Sequence, residues 1–70
     1  MYETLRVIIG RNVKARREEL GMSCNEVAKA CGMSNDTIRH IEDGESNFRA
    51  KTLEAIAEVL GLSFADLFKE

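Results

Sequence analysis

Apolar side chains recur at helical spacing in the first third of the chain. Leu5, Ile9 and Val13 fall four apart, Ile8 lies beside them, and Leu20 follows Val13 by seven residues. The pattern predicts a first helix from about Glu3 to Leu20, ended by Gly21. Gly10 inside it weakens the helix relative to alanine, which implies that another backbone packs closely there. Ser23 and Glu26 have the spacing of a capping box, so a second helix is predicted from Cys24 to Cys31, with Val27, Ala28 and Cys31 facing inward and Gly32 as its stop. Ser34 is the next cap, ahead of a third helix from Asn35 to Glu42 that buries Ile38 and Ile41 and stops near Gly44. A polar loop, Glu45 to Arg49, leads to a fourth helix marked by Leu53, Ile56, Ala57 and Leu60 and ended by Gly61. Ser63 and Asp66 bracket a short fifth helix with Phe64, Leu67 and Phe68 as its apolar residues. The expected fold is all-α, a bundle of five helices.

Composition supports that reading and narrows it. Seventy residues are enough for one small core, so residues 1–70 are taken as a single domain, and the absence of proline removes the main obstacle to helix. The longest uncharged apolar run is Val7-Ile8-Ile9, far short of the roughly 20 residues that span a bilayer. With Tyr2 and Glu3 next to Met1, the start lacks the basic-then-apolar pattern of a signal peptide, and a cytoplasmic location is expected. Cys24, Cys31 and the one histidine, His40, do not make a four-ligand metal site, so no metal or other cofactor is expected. Cys31 is taken as core, as small apolar cysteines are in a reducing compartment. An enzyme is excluded by the lack of a recognisable nucleophile-base pair, and no small-molecule substrate is expected in so short a chain.

The net charge of −2 hides a polarised distribution. Residues 1–17 carry Arg6, Arg11, Lys14, Arg16 and Arg17 against Glu3, whereas the remainder carries five basic and eleven acidic side chains.

Only Gly32 and Met33 separate the second helix from the cap of the third. Two short helices joined by so tight a turn have the pattern of a helix-turn-helix, whose second helix enters the major groove of duplex DNA. Ala28 keeps the first helix small where the second crosses it, Gly32 turns the chain, and Ile38 locks the third helix from below. The residues of that helix that project away from Ile38 and Ile41 are Asn35, Asp36, Thr37, Arg39 and His40, which makes them the candidates for reading base edges. Arg39 suits guanine, Asn35 adenine, and Asp36 a cytosine amine while repelling phosphate.

At this point the chain resembles the Cro and phage-repressor, or Xre, type of helix-turn-helix domain. The resemblance runs from IGRNVKARREELGMS through SCNEVAKACGMSNDTIRHIEDG to TLEAIAEVLGLSFADLF. It implies a five-helix, lambda-repressor-like bundle and a transcriptional regulator that binds a roughly palindromic operator as a homodimer. It implies that Ser23, Cys24, Arg49 and Lys51 hold the DNA backbone, in keeping with the affinity of helix N-termini for anions. It also implies an ion pair between Arg17 and Glu42 that ties the third helix to the first. Two departures stand out. The family's usual glutamine at the start of the second helix is replaced by Cys24, a weak donor whose place at a helix N-terminus also allows redox sensing. The usual proline before the fourth helix is missing, with Phe48 near its place and expected on the core. Leu62, Phe64 and Phe68 are the candidates for the dimer contact, because a core this small leaves large terminal apolar residues in excess. The rival reading is a protein-interaction module of the same fold, antitoxin-like or co-regulatory, which the acidic remainder of the chain suits.

Overall fold

The computed structural model describes residues 2–45 and 49–70, with the side chains of residues 2–4 left aside. It contains α1 (Tyr2–Glu19), α2 (Cys24–Cys31), α3 (Asn35–Glu42) and α4 (Ala50–Leu60), followed by a 3-10 turn, Phe64–Phe68. No strand occurs among the described residues. The expected fifth α-helix is therefore corrected to a 3-10 turn. Its Ser63–Asp66 capping box is present, and the Lys69 N–H closes on the Asp66 carbonyl at three-residue spacing. The closures at Ser63 and Asp66 have the three-residue spacing of a 3-10 turn, and that tighter turn drives Leu67 fully into the core.

The ends of the elements follow from their residues. Glu26 N–H donates to Ser23 Oγ at 3.1 Å while Ser23 N–H donates to Glu26 Oε1 at 2.8 Å, the reciprocal box that starts α2. Gly32 ends it at φ 71°, ψ 32°, a left-handed conformation natural to glycine, and the next N–H, of Met33, returns to the Ala28 carbonyl at 2.8 Å.

The core lies inside a ring in which α1 packs on α3, α3 on α2, α2 on α4 and α4 back on α1. Ile9, Val13, Val27, Ile38, Ile56 and Leu67 have no exposed surface, and Ala28 is 1% exposed where α2 meets α3. The apolar stripe of the first helix is buried at its middle only, and one expected core position is corrected. Leu5, in the first turns of α1, and Leu20, just past its end, are 40% and 43% exposed. Cys31 is half-buried and packs against the core rather than within it, its Sγ 3.8 Å from the Ala55 carbonyl oxygen.

Polar bonds from α1 hold the C-terminal segment. Asn12 Nδ2 donates to the carbonyls of Leu67 and Lys69 at 2.7 and 2.8 Å, and Arg16 Nε donates to the Leu60 carbonyl at the end of α4 at 2.9 Å. Such bonds satisfy carbonyls that a helix end leaves without partners.

Candidate nucleic-acid interface

Two faces of α3 have opposite fates. Ile38 and Ile41 are buried, while Asp36, Arg39 and His40 are exposed and Asn35 and Thr37 are half-buried. The start of the helix is fixed by Ser34, whose Oγ accepts from the Thr37 N–H at 3.2 Å and shares a hydrogen bond with Thr37 Oγ1 at 2.9 Å. The Thr37 hydroxyl therefore has a partner within the protein, which leaves its methyl group as the freer contact. Among the described residues the ion pairs are Arg16–Glu19, Arg17–Glu42 and Lys69–Asp66, so Arg39 belongs to none.

The end of α3 is fixed by charge. Arg17 Nε lies 2.7 Å from Glu42 Oε2 and its Nη2 lies 3.0 Å from Glu42 Oε1, a two-pronged contact, while its Nη1 donates to the Met22 carbonyl at 2.9 Å. Side-chain exposure is 14% for Arg17 and 6% for Glu42, so the pair sits largely out of water. The hydrogen bond to Glu42 pushes the Arg17 guanidinium above its ordinary pKa. One side chain thus ties together α1, the turn before α2 and the end of α3. Sequence gave no sign of the Met22 carbonyl, because a backbone acceptor has no residue signature.

Cys24 is turned toward this pair, its Sγ 3.8 Å from Glu42 Oε1. Burial, then the neighbouring Glu42 charge, pushes its thiol pKa up, although Arg17 and Arg39 pull the other way. That direction opposes a reactive thiolate and runs against the redox reading. Ser23 beside it is exposed, but its hydroxyl already accepts from Glu26.

The start of α4 differs from the others. Ser23, Ser34 and Ser63 each cap an element with a side chain, whereas Arg49 ahead of α4 makes no such bond and no acidic residue stands in the first turn. Arg49 and Lys51 are both exposed. Among the described residues no side chain caps this helix start, and cations stand where acids normally stabilise it, an arrangement suited to an external anion. Phe48 lies outside the described residues.

Phe64 is 39% exposed, while Leu62 and Phe68 are half-buried and pack against the core. The two rings meet edge-on, with centroids 5.1 Å apart at 68°. Asn12 and Arg16, which hold the C-terminal segment, were not singled out from sequence. Their four-residue spacing on one helix face is the only trace they leave there. Among the described residues no cluster of histidine, cysteine and acidic side chains is arranged to hold a metal, and no helix is long and apolar enough to cross a membrane.

The arrangement agrees with known proteins. The helix-turn-helix family model HTH_3 matches residues 13–67. An uncharacterized HTH-type transcriptional regulator of Sinorhizobium fredii is 32% identical over 63 residues, covering 90% of this chain and 82% of the relative. The crystal structure of an HTH_3 family transcriptional regulator from Vibrio cholerae superposes with a TM-score of 0.90 at 31% identity, over 97% of this chain but only 38% of that one. The fold also occurs as part of an enzyme: hydroxypropylphosphonic acid epoxidase from S. wedmorenis matches 96% of this chain with 36% of its own, at 29% identity and a TM-score of 0.87. With its two short helices, tight glycine turn and exposed α3 face, the chain belongs to the HTH_3 helix-turn-helix family of Cro and phage-repressor type, the DNA-binding transcriptional regulators.

Proposed function

We propose that this chain is a sequence-specific regulator that binds a roughly palindromic duplex operator as a homodimer, acts in the cytoplasm as a repressor or autoregulator, and reads bases with α3 in the major groove. The observation that carries the reading is the divided character of α3. Ile38, Ile41 and Glu42 lock one side, while Asp36, Arg39 and His40 stand in solvent on the other. A surface helix bound so firmly, with its outward charge uncommitted, suits the major groove. Asn35, Asp36, Thr37, Arg39 and His40 are assigned to base edges. Ser23, Arg49 and Lys51 are assigned to phosphates, and Cys24 to supporting the end of α3 through Glu42, with any phosphate contact through its backbone.

The acid on the reading face disfavours loose phosphate binding, so the protein should be selective and weakly retained on random DNA. Titration of Arg39→Ala and Lys51→Ala against the best operator and against random duplex, over a range of salt, tests the division of labour. Arg39→Ala should lose about 1–3 kcal/mol on the operator and relax preference at one base pair. Lys51→Ala should weaken both duplexes alike and make the log-log salt slope shallower by about one unit. Unchanged affinity and preference for Arg39→Ala would remove α3 from the groove. A binding curve without salt dependence would point to the protein-interaction module instead.

A further inference from the structure

Gly10 has no conformational reason to be glycine. The described residues with positive φ are Gly21, Gly32, Gly44 and Gly61, so Gly10 keeps an ordinary helical backbone that alanine adopts more readily. Proximity is the reason that remains. A Cβ at this position would overlap the carbonyl oxygen of Ile41, and would lie 2.7 Å from the carbonyl oxygen of Glu42 and 3.0 Å from its carbonyl carbon. All three atoms are backbone of the last turn of α3, which no rotamer change moves aside. The same contact continues one turn earlier on α1, where Val7 faces Gly44: a Cβ there would lie 3.3 Å from Val7 Cγ2 and 3.5 Å from Val7 Cα.

We propose that Gly10 is a positioning residue for base reading: bare α1 backbone at this point is the stop on which the last turn of α3 rests, and it fixes the tilt at which Arg39 and His40 enter the groove. The inference rests on the assignment of α3 as the base-reading helix. Carbon and carbonyl oxygen rest no closer than about 3.3 Å, so a methyl group at residue 10 displaces the Glu42 carbonyl by roughly 0.6 Å or more. The opposite end of α3 is held by the Ser34 cap and the two-residue turn, so the displacement becomes a pivot about the first turn. Asn35 and Asp36 stand near the pivot and move little, whereas Arg39 and His40 in the last turn move most. Hydrogen-bonded constellations tolerate errors of only about 0.5 Å, so the base pairs read by the last turn lose their contacts first.

The test is selection from a random duplex pool with wild type, Gly10→Ala, Arg39→Ala and Asn35→Ala, at a temperature where circular dichroism shows each chain folded. Gly10→Ala should bind the wild-type operator at least about tenfold more weakly. It should lose preference at the base pairs that Arg39→Ala loses and keep it at those that Asn35→Ala loses. A folded Gly10→Ala chain with the wild-type profile, or with preference lost evenly at every position, overturns the inference. If Gly10→Ala does not fold, nuclear magnetic resonance on the wild type decides: a Gly10 Hα shifted downfield by the carbonyls supports the stop, and an ordinary helical glycine shift removes it. A wild-type chain that selects no sequence removes α3 as the base reader and this inference with it. A wild type that selects a site shared by folded Gly10→Ala removes this inference alone.

Discussion

Replacing Arg17 by methionine strands the Glu42 carboxylate, which is 6% exposed and, among the described residues, keeps only the Cys24 thiol as a nearby donor. Breaking one partner of a buried ion pair typically costs about 3–5 kcal/mol, against near zero for an exposed charge such as Lys14. Chemical denaturation should therefore separate Arg17→Met from Lys14→Met by several kcal/mol, and the double variant Arg17→Met/Glu42→Leu should recover much of the loss because no charge is then left unpaired. Equal midpoints for the two single variants would show that water reaches Glu42 and that the pair is not structural. The same residues mark how far sequence reaches at this scale. Arg17 and Glu42 were singled out because the chain resembles a family that pairs them, whereas Asn12 and Arg16 were invisible. Their acceptors are the Leu60, Leu67 and Lys69 carbonyls, which become available only where elements distant in sequence end side by side.

At the scale of elements, α2 and α3 begin and end at the residues their caps predict, because a serine oxygen and a left-handed glycine act locally and leave a local signature. The last element did not follow its pattern. Helical periodicity in Phe64, Leu67 and Phe68 suits an α-turn and a 3-10 turn equally, and the choice was made by packing of Leu67 and by bonds from Asn12. The stability of this turn should also depend on acid. Lys69, followed by the Ser63 N–H and hydroxyl, holds the exposed Asp66 carboxyl down from 3.8 to about 2. A carboxyl lowered by folding stabilises the folded form above its unfolded value, and that contribution disappears as pH falls through about 2. The ring-current shifts of the Phe64–Phe68 pair, followed by nuclear magnetic resonance from pH 4 downward, should drift toward those of Asp66→Asn. Ile38 methyl shifts should hold until the whole chain unfolds. A Phe64 shift that titrates near 4, or that is the same in both proteins throughout, would remove the capping role of Asp66.

The molecule measures 30 × 20 × 20 Å, and the helix proposed to read bases, α3, has eight residues. A single helix of that length meets few base pairs, and specificity from one set of contacts is small against the number of competing sites. In the proposed homodimer, two copies related by a two-fold axis would double the contacts and make the operator a near palindrome, with the reading helices about 34 Å apart, one turn of duplex. Of the three candidates, Leu62 and Phe68 are already half-buried within one chain, so Phe64, at 39% exposure, has most apolar area left to lose. Phe64→Asp should leave the fold intact, because Leu67 and not Phe64 is the fully buried anchor of this turn, but it should place two like charges across a two-fold contact. Sedimentation equilibrium is expected to show a concentration-dependent dimer for the wild type and a monomer for Phe64→Asp. On a full operator the variant should bind more weakly than the wild type, while both bind an isolated half-site alike. A wild type that stays monomeric at high concentration, with and without operator, would assign Phe64 to the core and leave the operator to be read by one copy at a time.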